Sequence, residues 1–296
     1  MTTRAVFGDR GRPVSRLSAG ERLNFLLTNR LPRRWLTLAM GRFSKIENPL
    51  LRDLSIGLWR LCVDDLRLFE ARKQEFTSLH DCFTRELKPG ARLVDEDPAV
   101  LVSPCDAVVG EFGSVSGLEV IQAKGFPYTI DELVGDEDLA ERYRNGRFVT
   151  LRLKSSMYHR FHAPSDARIK EVRYISGDTW NVNPVALKVV EKLFCRNERA
   201  VIDLQLRDRD ATITLVPVAA IIVASMRIHG LNYPLDLRYR GPNLIPLRRQ
   251  VEKGDELGYF EHGSTIVMFA PSSFRFCKTI ETGKTIRMGE ALLQRN

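Results

Sequence analysis

Four residues in line, His262-Gly263-Ser264-Thr265, stand before the apolar run Ile266-Val267-Met268-Phe269. A serine hydroxyl becomes a nucleophile when a base takes its proton and a charge orients that base. The chain has five histidines, and two of them, His159 and His162, share the stretch YHRFHAP at 158–164. Asp106 follows a Ser-Pro step in SPCDAVVGEFG at 103–113. An aspartate, a histidine and a serine in that order could supply the charge, the base and the attacking oxygen. Each also has a plainer reading, namely a turn aspartate, a polar turn and a common Gly-Ser step. No G-x-S-x-G elbow is present, which disfavours an ordinary α/β-hydrolase. The histidine pair lacks a third ligand at HExxH-like spacing, so no metal is expected. Ser264 has one further option, attack on the carbonyl of Gly263. That would turn an amide into an ester, and β-elimination would leave a dehydroalanine that hydrolyses to a pyruvoyl group. Gly263 suits the step because it lets the backbone bend and leaves the carbonyl unshielded.

These residues need elements to hold them. STIVMFAP (264–271) reads as a strand ended by Pro271, FVTLRL (148–153) alternates, and AVIDLQL (200–206) precedes a turn at RDRDA. The apolar run from Ile213 to Met226 reads as buried strand, too short to span a bilayer and interrupted by Pro217. Helical patches fall near 130–144 and 184–194. The N-terminal third reads helical throughout: SAGERLNFLLTNRL with Ser18 as its cap, RLPRRWLTLAMGRFSK at 30–45, and further helix within 48–72. A short helix in FTSLHDCFTRELKPGARLV leads into a Pro89-Gly90 turn, and the texture changes near 88–98. The fold class expected is α+β, helices followed by a mainly β, sandwich- or barrel-like core.

Charge placement adds a constraint. Residues 1–60 carry 12 Arg and Lys against 4 Asp and Glu, an excess equal to the net +8 of the whole chain. In the 30–45 helix, Trp35, Leu36, Leu38, Ala39, Met40 and Phe43 share one face, with Arg33, Arg34, Thr37, Arg42 and Lys45 on or beside the other. Such a helix can lie in a lipid headgroup layer or pack on the protein's own core. Five scattered cysteines without a CxxC suit a reducing compartment, and no signal peptide is expected from the polar, Arg-bearing first 20 residues.

Taken together, these stretches resemble the phosphatidylserine decarboxylase proenzyme family. Its usual LGST cleavage motif corresponds to His262-Gly263-Ser264-Thr265, and its YHRxH-x-P to Tyr158-His159-Arg160-Phe161-His162-Ala163-Pro164. Its Pro-x-Asp-Gly is similar to Pro104-Cys105-Asp106-Ala107. FTRELKPGAR (83–92), QAKGFPYTIDELVG (122–135), GDTWNVN (177–183) and LFCRNERAV (193–201) complete an ordered set from about residue 75 to 275. The resemblance implies a self-processing triad of Asp106, His162 and Ser264, with cleavage between Gly263 and Ser264. The products would be a β-chain of 1–263 and an α-chain of 264–296, the latter headed by a pyruvoyl cofactor made from Ser264. His159 would act near the substrate carboxylate in decarboxylation or reprotonation. Phosphatidylserine would become phosphatidylethanolamine and CO2 by way of a Schiff base, with the self-made carbonyl as electron sink and no metal.

The resemblance also implies a docking region at 1–90 and a catalytic domain at 91–296. It implies a homodimer, and peripheral attachment to the cytoplasmic face of the inner membrane. Arg33, Arg34, Trp35, Leu36, Met40 and Phe43 would touch the anionic lipid surface. Nucleic acid is not expected, since no stacking platform or known motif is present. The chain departs from the family at His262 for leucine, Ala107 for glycine and Pro184 for histidine. His262 adds a titratable group at the scissile step. The alternatives are a pyruvoyl decarboxylase of another serine-headgroup lipid, an unprocessed Ser-His-Asp hydrolase, and a non-catalytic membrane-bound β-domain.

Overall fold

The computed structural model describes residues 18–29, 33–122, 126–207, 211–220, 225–261 and 264–296. His262 and Gly263 lie outside these residues, as does the side chain of Arg34. Eight α-helices are described: α1 (Ala19–Asn29), α2 (Arg33–Phe43), α3 (Pro49–Cys62), α4 (Leu79–Phe83), α5 (Ile130–Val134), α6 (Glu137–Glu141), α7 (Pro184–Leu187) and α8 (Leu193–Arg196). The strands are β1 (Val100–Val102), β2 (Ala107–Ser114), β3 (Glu119–Ile121), β4 (Pro127–Thr129), β5 (Arg147–Leu153), β6 (Arg160–His162), β7 (Ala167–Ile175), β8 (Arg199–Leu206) and β9 (Thr212–Ala219). They continue with β10 (Ser225–Ile228), β11 (Leu235–Asp236), β12 (Leu244–Val251), β13 (Glu256–Phe260), β14 (Ser264–Ala270), β15 (Phe274–Phe276), β16 (Thr285–Ile286) and β17 (Ala291–Arg295).

Local chemistry accounts for the helix starts. Ser18 Oγ accepts from the Glu21 amide at 3.2 Å while the Ser18 amide donates to Glu21 Oε2 at 3.1 Å, a reciprocal cap on α1. Asn48 accepts from the amides of Leu50 and Leu51, and Pro49 takes the first position of α3, where no amide is needed.

An eight-stranded antiparallel sheet, in the order β12-β7-β8-β9-β14-β5-β2-β16, forms the centre. Strand β14 lies inside it, with Ser264 opposite Leu153 of β5 on one side and Ala219 of β9 on the other. Both faces are covered, which explains why β14 is an unbroken apolar run and not an alternating one. Ile266, Met268 and Ala270 share a core with Phe161, Leu257 and Phe260 from the smaller sheet β11-β10-β13-β6. Val267 and Phe269 point the other way, into a core with α5 to α8 and Phe25 of α1.

The architecture is mixed α+β with a mainly β core. One strand differs from expectation. The Ile213–Met226 run is two strands in two sheets, β9 in the large sheet and β10 in the small one. An apolar run buried on both sides has no periodicity to mark such a break.

The N-terminal helices also differ in detail. Thr37 and Ser44 are buried, while Trp35 is 78% exposed, so α2 packs on the protein through a partly polar face. Arg33 donates to Asp178 at 2.6 Å and lies 3.8 Å over the Trp180 ring, and Lys45 donates to buried Glu261 at 3.0 Å. Helix α3 rests on the 68–83 segment through Ile56 and Trp59. Its opposite face carries Leu50, Leu54, Leu58 and Leu61, all exposed and spaced as one helical stripe. Among the described residues no helix is long and apolar enough to cross a membrane.

Phe269 is fully buried and packs on Tyr143 with ring centroids 5.7 Å apart. Phe269→Ala is expected to lower unfolding free energy by about 3–5 kcal/mol in urea titration. A loss below about 1 kcal/mol would contradict a tightly packed β14.

Candidate active site

Ser264 is the first residue of β14 and is fully buried, yet its Oγ has no hydrogen-bond partner among the described residues. It lies on the wall of a cavity of about 990 Å3. Met40 and Phe43 of α2, Leu58 and Trp59 of α3, and Leu79 and Phe83 of α4 give that cavity an apolar roof. Asp64, Arg152, Lys154, Asn181 and Asn183 are among its polar positions. A buried hydroxyl without a partner is costly. Such an atom is a natural candidate for chemistry.

The two histidines approach on β6 and the turn before it. Strand β6 pairs with β13, whose last residue, Phe260, donates its amide to the His159 carbonyl at 3.0 Å. Strand β13 in turn runs into the Gly-Ser step, so the fold brings the YHRFH segment to the approach to Ser264. His159 Nδ1 donates to the Met157 carbonyl at 2.8 Å, which in the neutral ring leaves the lone pair on Nε2. Its ring packs on Phe83 at 4.1 Å, and Phe83 stacks on Trp59 at 5.5 Å, so the imidazole backs the aromatic cavity wall.

His162 is held differently. Nδ1 donates to the Gly254 carbonyl at 2.8 Å, and Nε2 accepts from the Tyr158 hydroxyl at 3.0 Å. Gly254 turns at φ +88°, in the left-handed region, and a Cβ there would come within 3.0 Å of Val94. Only glycine presents this carbonyl without strain. Burial lowers the His162 pKa, against the opposing pull of the Gly254 carbonyl and of Glu256 and Asp106. The ring is therefore neutral at pH 7, the form a general base needs.

Asp106 sits beside this strand, because the His162 amide donates to the Pro104 carbonyl at 2.7 Å. Its carboxylate accepts from Arg92 Nε at 2.9 Å, from Arg92 Nη2 at 2.5 Å and from the Met288 amide at 2.9 Å. Arg92 is buried and also donates to Glu70 at 2.9 Å. Burial opposes the charge on Glu70, but hydrogen bonds from Arg67 and Arg92 outweigh it and hold its pKa at about 2. Arg92 itself is raised by the two carboxylates against the effect of its burial.

Asp106 and His162 thus lie near one another, but no hydrogen-bonded relay joins them to Ser264, and neither they nor His159 line the cavity that holds Ser264. Among the described residues Asp106 bonds to Arg92 and Met288, and His162 to Gly254 and Tyr158; neither bonds to the other or to Ser264. Arg92, Tyr158, Gly254 and Arg152 were not singled out from sequence. Arg92, Tyr158 and Arg152 stand inside stretches already quoted, so position in such a stretch was the one available signal. Of the other described histidines, His229 meets Glu256 at 2.6 Å and His80 lies 3.9 Å from Glu261. Among the described residues no cluster could hold a metal ion.

Fold and site define an α+β chain with a buried serine heading a central strand and opening to an apolar cavity. A family model described as phosphatidylserine decarboxylase matches residues 79–294. A phosphatidylserine decarboxylase proenzyme of Methylibium petroleiphilum is 37% identical over 282 residues, covering 92% of this chain and 97% of the relative. Proenzymes of the same name from Acinetobacter baumannii and Aliivibrio fischeri are each 33% identical, covering 89% and 87% of this chain and 93% of each relative. The chain belongs to the phosphatidylserine decarboxylase family.

Arg92→Met would leave two buried carboxylates without their shared cation. It is expected to cost about 3–5 kcal/mol at pH 7 by denaturant unfolding. Because the Glu70 pKa is depressed, its contribution is complete above the unfolded value of about 4.3 and fades as pH falls toward about 2. The gap between variant and parent should narrow across that window. A gap independent of pH would refute the Glu70 share of the network.

Proposed function

We propose that this chain is a phosphatidylserine decarboxylase that cuts itself between Gly263 and Ser264 and carries a pyruvoyl group derived from Ser264. The observation that carries this is the buried, partnerless Ser264 hydroxyl at the head of the central strand, open to an apolar cavity. The site suits the group: a ketone in place of the hydroxyl would leave no donor unsatisfied in that dry position. The pyruvoyl carbonyl supplies the electron sink that lets CO2 leave.

The chain's residues do the rest. Neutral His162 takes the Ser264 proton once the Tyr158 hydroxyl swings off Nε2, and the Gly254 carbonyl keeps its tautomer fixed. Asp106, clamped by Arg92, contributes negative charge beside the strand that carries His162. His159, backed by Phe83, serves as the proton donor or acceptor at the substrate carbon. The histidine at 262 and the glycine at 263 belong to the same step and lie outside the described residues.

Residues 1–90 act as the docking region and 91–296 as the catalytic domain. The chain docks as a peripheral protein on the cytoplasmic face of the inner membrane; contact with a lipid surface is supported by the exposed leucine stripe of α3, in which Leu58 and Leu61 also line the cavity. A diacyl lipid could then enter without leaving the bilayer. Trp35, 78% exposed, and Phe43 of α2 extend that surface, and the half-buried Leu36 and Met40 would add to it. Arg33, tied to Asp178, stabilises the helix more than it meets lipid.

Intact masses of the denatured protein and of Ser264→Ala test the processing step. The parent should give fragments 1–263 and 264–296, and the variant one uncut chain. A single parent chain labelled at Ser264 by a serine-reactive probe would replace this function with that of a hydrolase. For docking, Leu50→Asp/Leu54→Asp should weaken co-sedimentation with phosphatidylserine-containing vesicles by at least roughly tenfold while processing continues. Unchanged sedimentation would remove α3 from the membrane surface.

A further inference from the structure

Arg152 differs from the other guanidinium groups held inside this fold. Arg92 is saturated by Asp106 and Glu70, and Arg160 by Glu256 and the Thr84 carbonyl. Arg85 donates to the Leu66 and Ser156 carbonyls, and Arg199 to those of Leu133, Cys195 and Asn197. Arg152 has no acceptor among the described residues. Burial alone lowers its pKa, with no carboxylate to offset it. A half-buried guanidinium without an acceptor is a site prepared for an anion.

Its position gives the anion a context. Arg152 lies on β5 directly opposite Thr265, the residue after Ser264. Directly opposed Cβ atoms in an antiparallel pair are about 5 Å apart, so Arg152 starts beside Thr265, and it meets Ser264, whose side chain falls on the opposite face of the sheet, through the cavity that both line. Leu151 and Leu153 point into the inter-sheet core, so the pleat turns Arg152 to the other face. Asn181, Asn183 and Ala220 line the cavity with it. Lys154, two residues on, is already matched by Asp64 at 2.8 Å, so the uncommitted positive charge of this wall is that of Arg152.

We propose that Arg152 receives the phosphodiester of the lipid headgroup and so sets how far the serine moiety reaches toward Ser264. The substrate carries two anions, and they make different demands. The carboxylate must lose its charge as CO2 departs, so a guanidinium paired to it would stabilise the ground state more than the transition state. The phosphodiester keeps its charge throughout, so pairing it strengthens binding without raising the barrier. The bond joins equally with phosphatidylserine and with the decarboxylated product, since both carry the phosphate.

This assignment rests on Ser264 being the reacting position, and the test separates the two. Arg152→Gln and Arg152→Lys are compared with the parent in mixed micelles, with rates normalised to the processed fraction read by intact mass. The expected result for Arg152→Gln is a KM for phosphatidylserine raised roughly ten- to hundredfold, from loss of a charged hydrogen bond, with kcat within about threefold. Inhibition by phosphatidylethanolamine should weaken in the same ratio, and Arg152→Lys should recover part of both. Unchanged KM in a fully processed Arg152→Gln protein would overturn the assignment. So would weakened substrate binding with product inhibition intact, which would place the carboxylate at Arg152. An unprocessed parent chain would instead defeat the Ser264 assignment.

Discussion

The pairing of β14 between β5 and β9 is the constraint on which the remaining features depend. A central strand has both edges committed and, here, both faces buried, so its first residue has little freedom to move. Ser264 is therefore held in a dry, fixed position, with its hydroxyl aimed at no neighbour. The same pairing puts Arg152 opposite Thr265 and sets the Ser264 end of the sheet against the cavity. Preorganisation of this kind supplies catalysis without reorganisation at the moment of reaction.

Electrostatics then divides the site into two environments. On one side, Arg92, Glu70 and Asp106 form a buried network whose charges satisfy one another. On the other, burial keeps His162 neutral against the pull of the Gly254 carbonyl, and that carbonyl and the Tyr158 phenol fix its tautomer. A charged cluster beside a neutral base is a common way for one fold to hold acid and base roles apart. The helical segment joins this arrangement through Arg33 on Asp178 and Lys45 on Glu261, the latter carboxylate lying three residues before Ser264. The N-terminal helices are thus tied to the segment that leads into Ser264.

Much of this was legible in the sequence where local pattern dictates structure. Strand β14 announced itself as an apolar run, α1 by its Ser18 cap, and the α4-to-Gly90 turn by Pro-Gly. The types of the candidate residues could also be read, because few side chains can do such chemistry. Their partners were not. Gly254 meets His162 from 92 positions away, and the Ser264 cavity is built from segments near 40, 60, 80, 154 and 182. Such contacts follow from topology, which periodicity does not encode. Helix α3 shows a subtler failure. A leucine stripe at helical spacing ordinarily faces a core, and only the structure shows this one facing outward.

The most direct test of the central claim is to treat the purified protein with a hydrazide probe and map the labelled peptide. A label at position 264, on the first residue of a 264–296 fragment, is the result expected of a serine converted to a ketone at the head of β14. An unlabelled, continuous chain bearing an intact serine at 264 would contradict it.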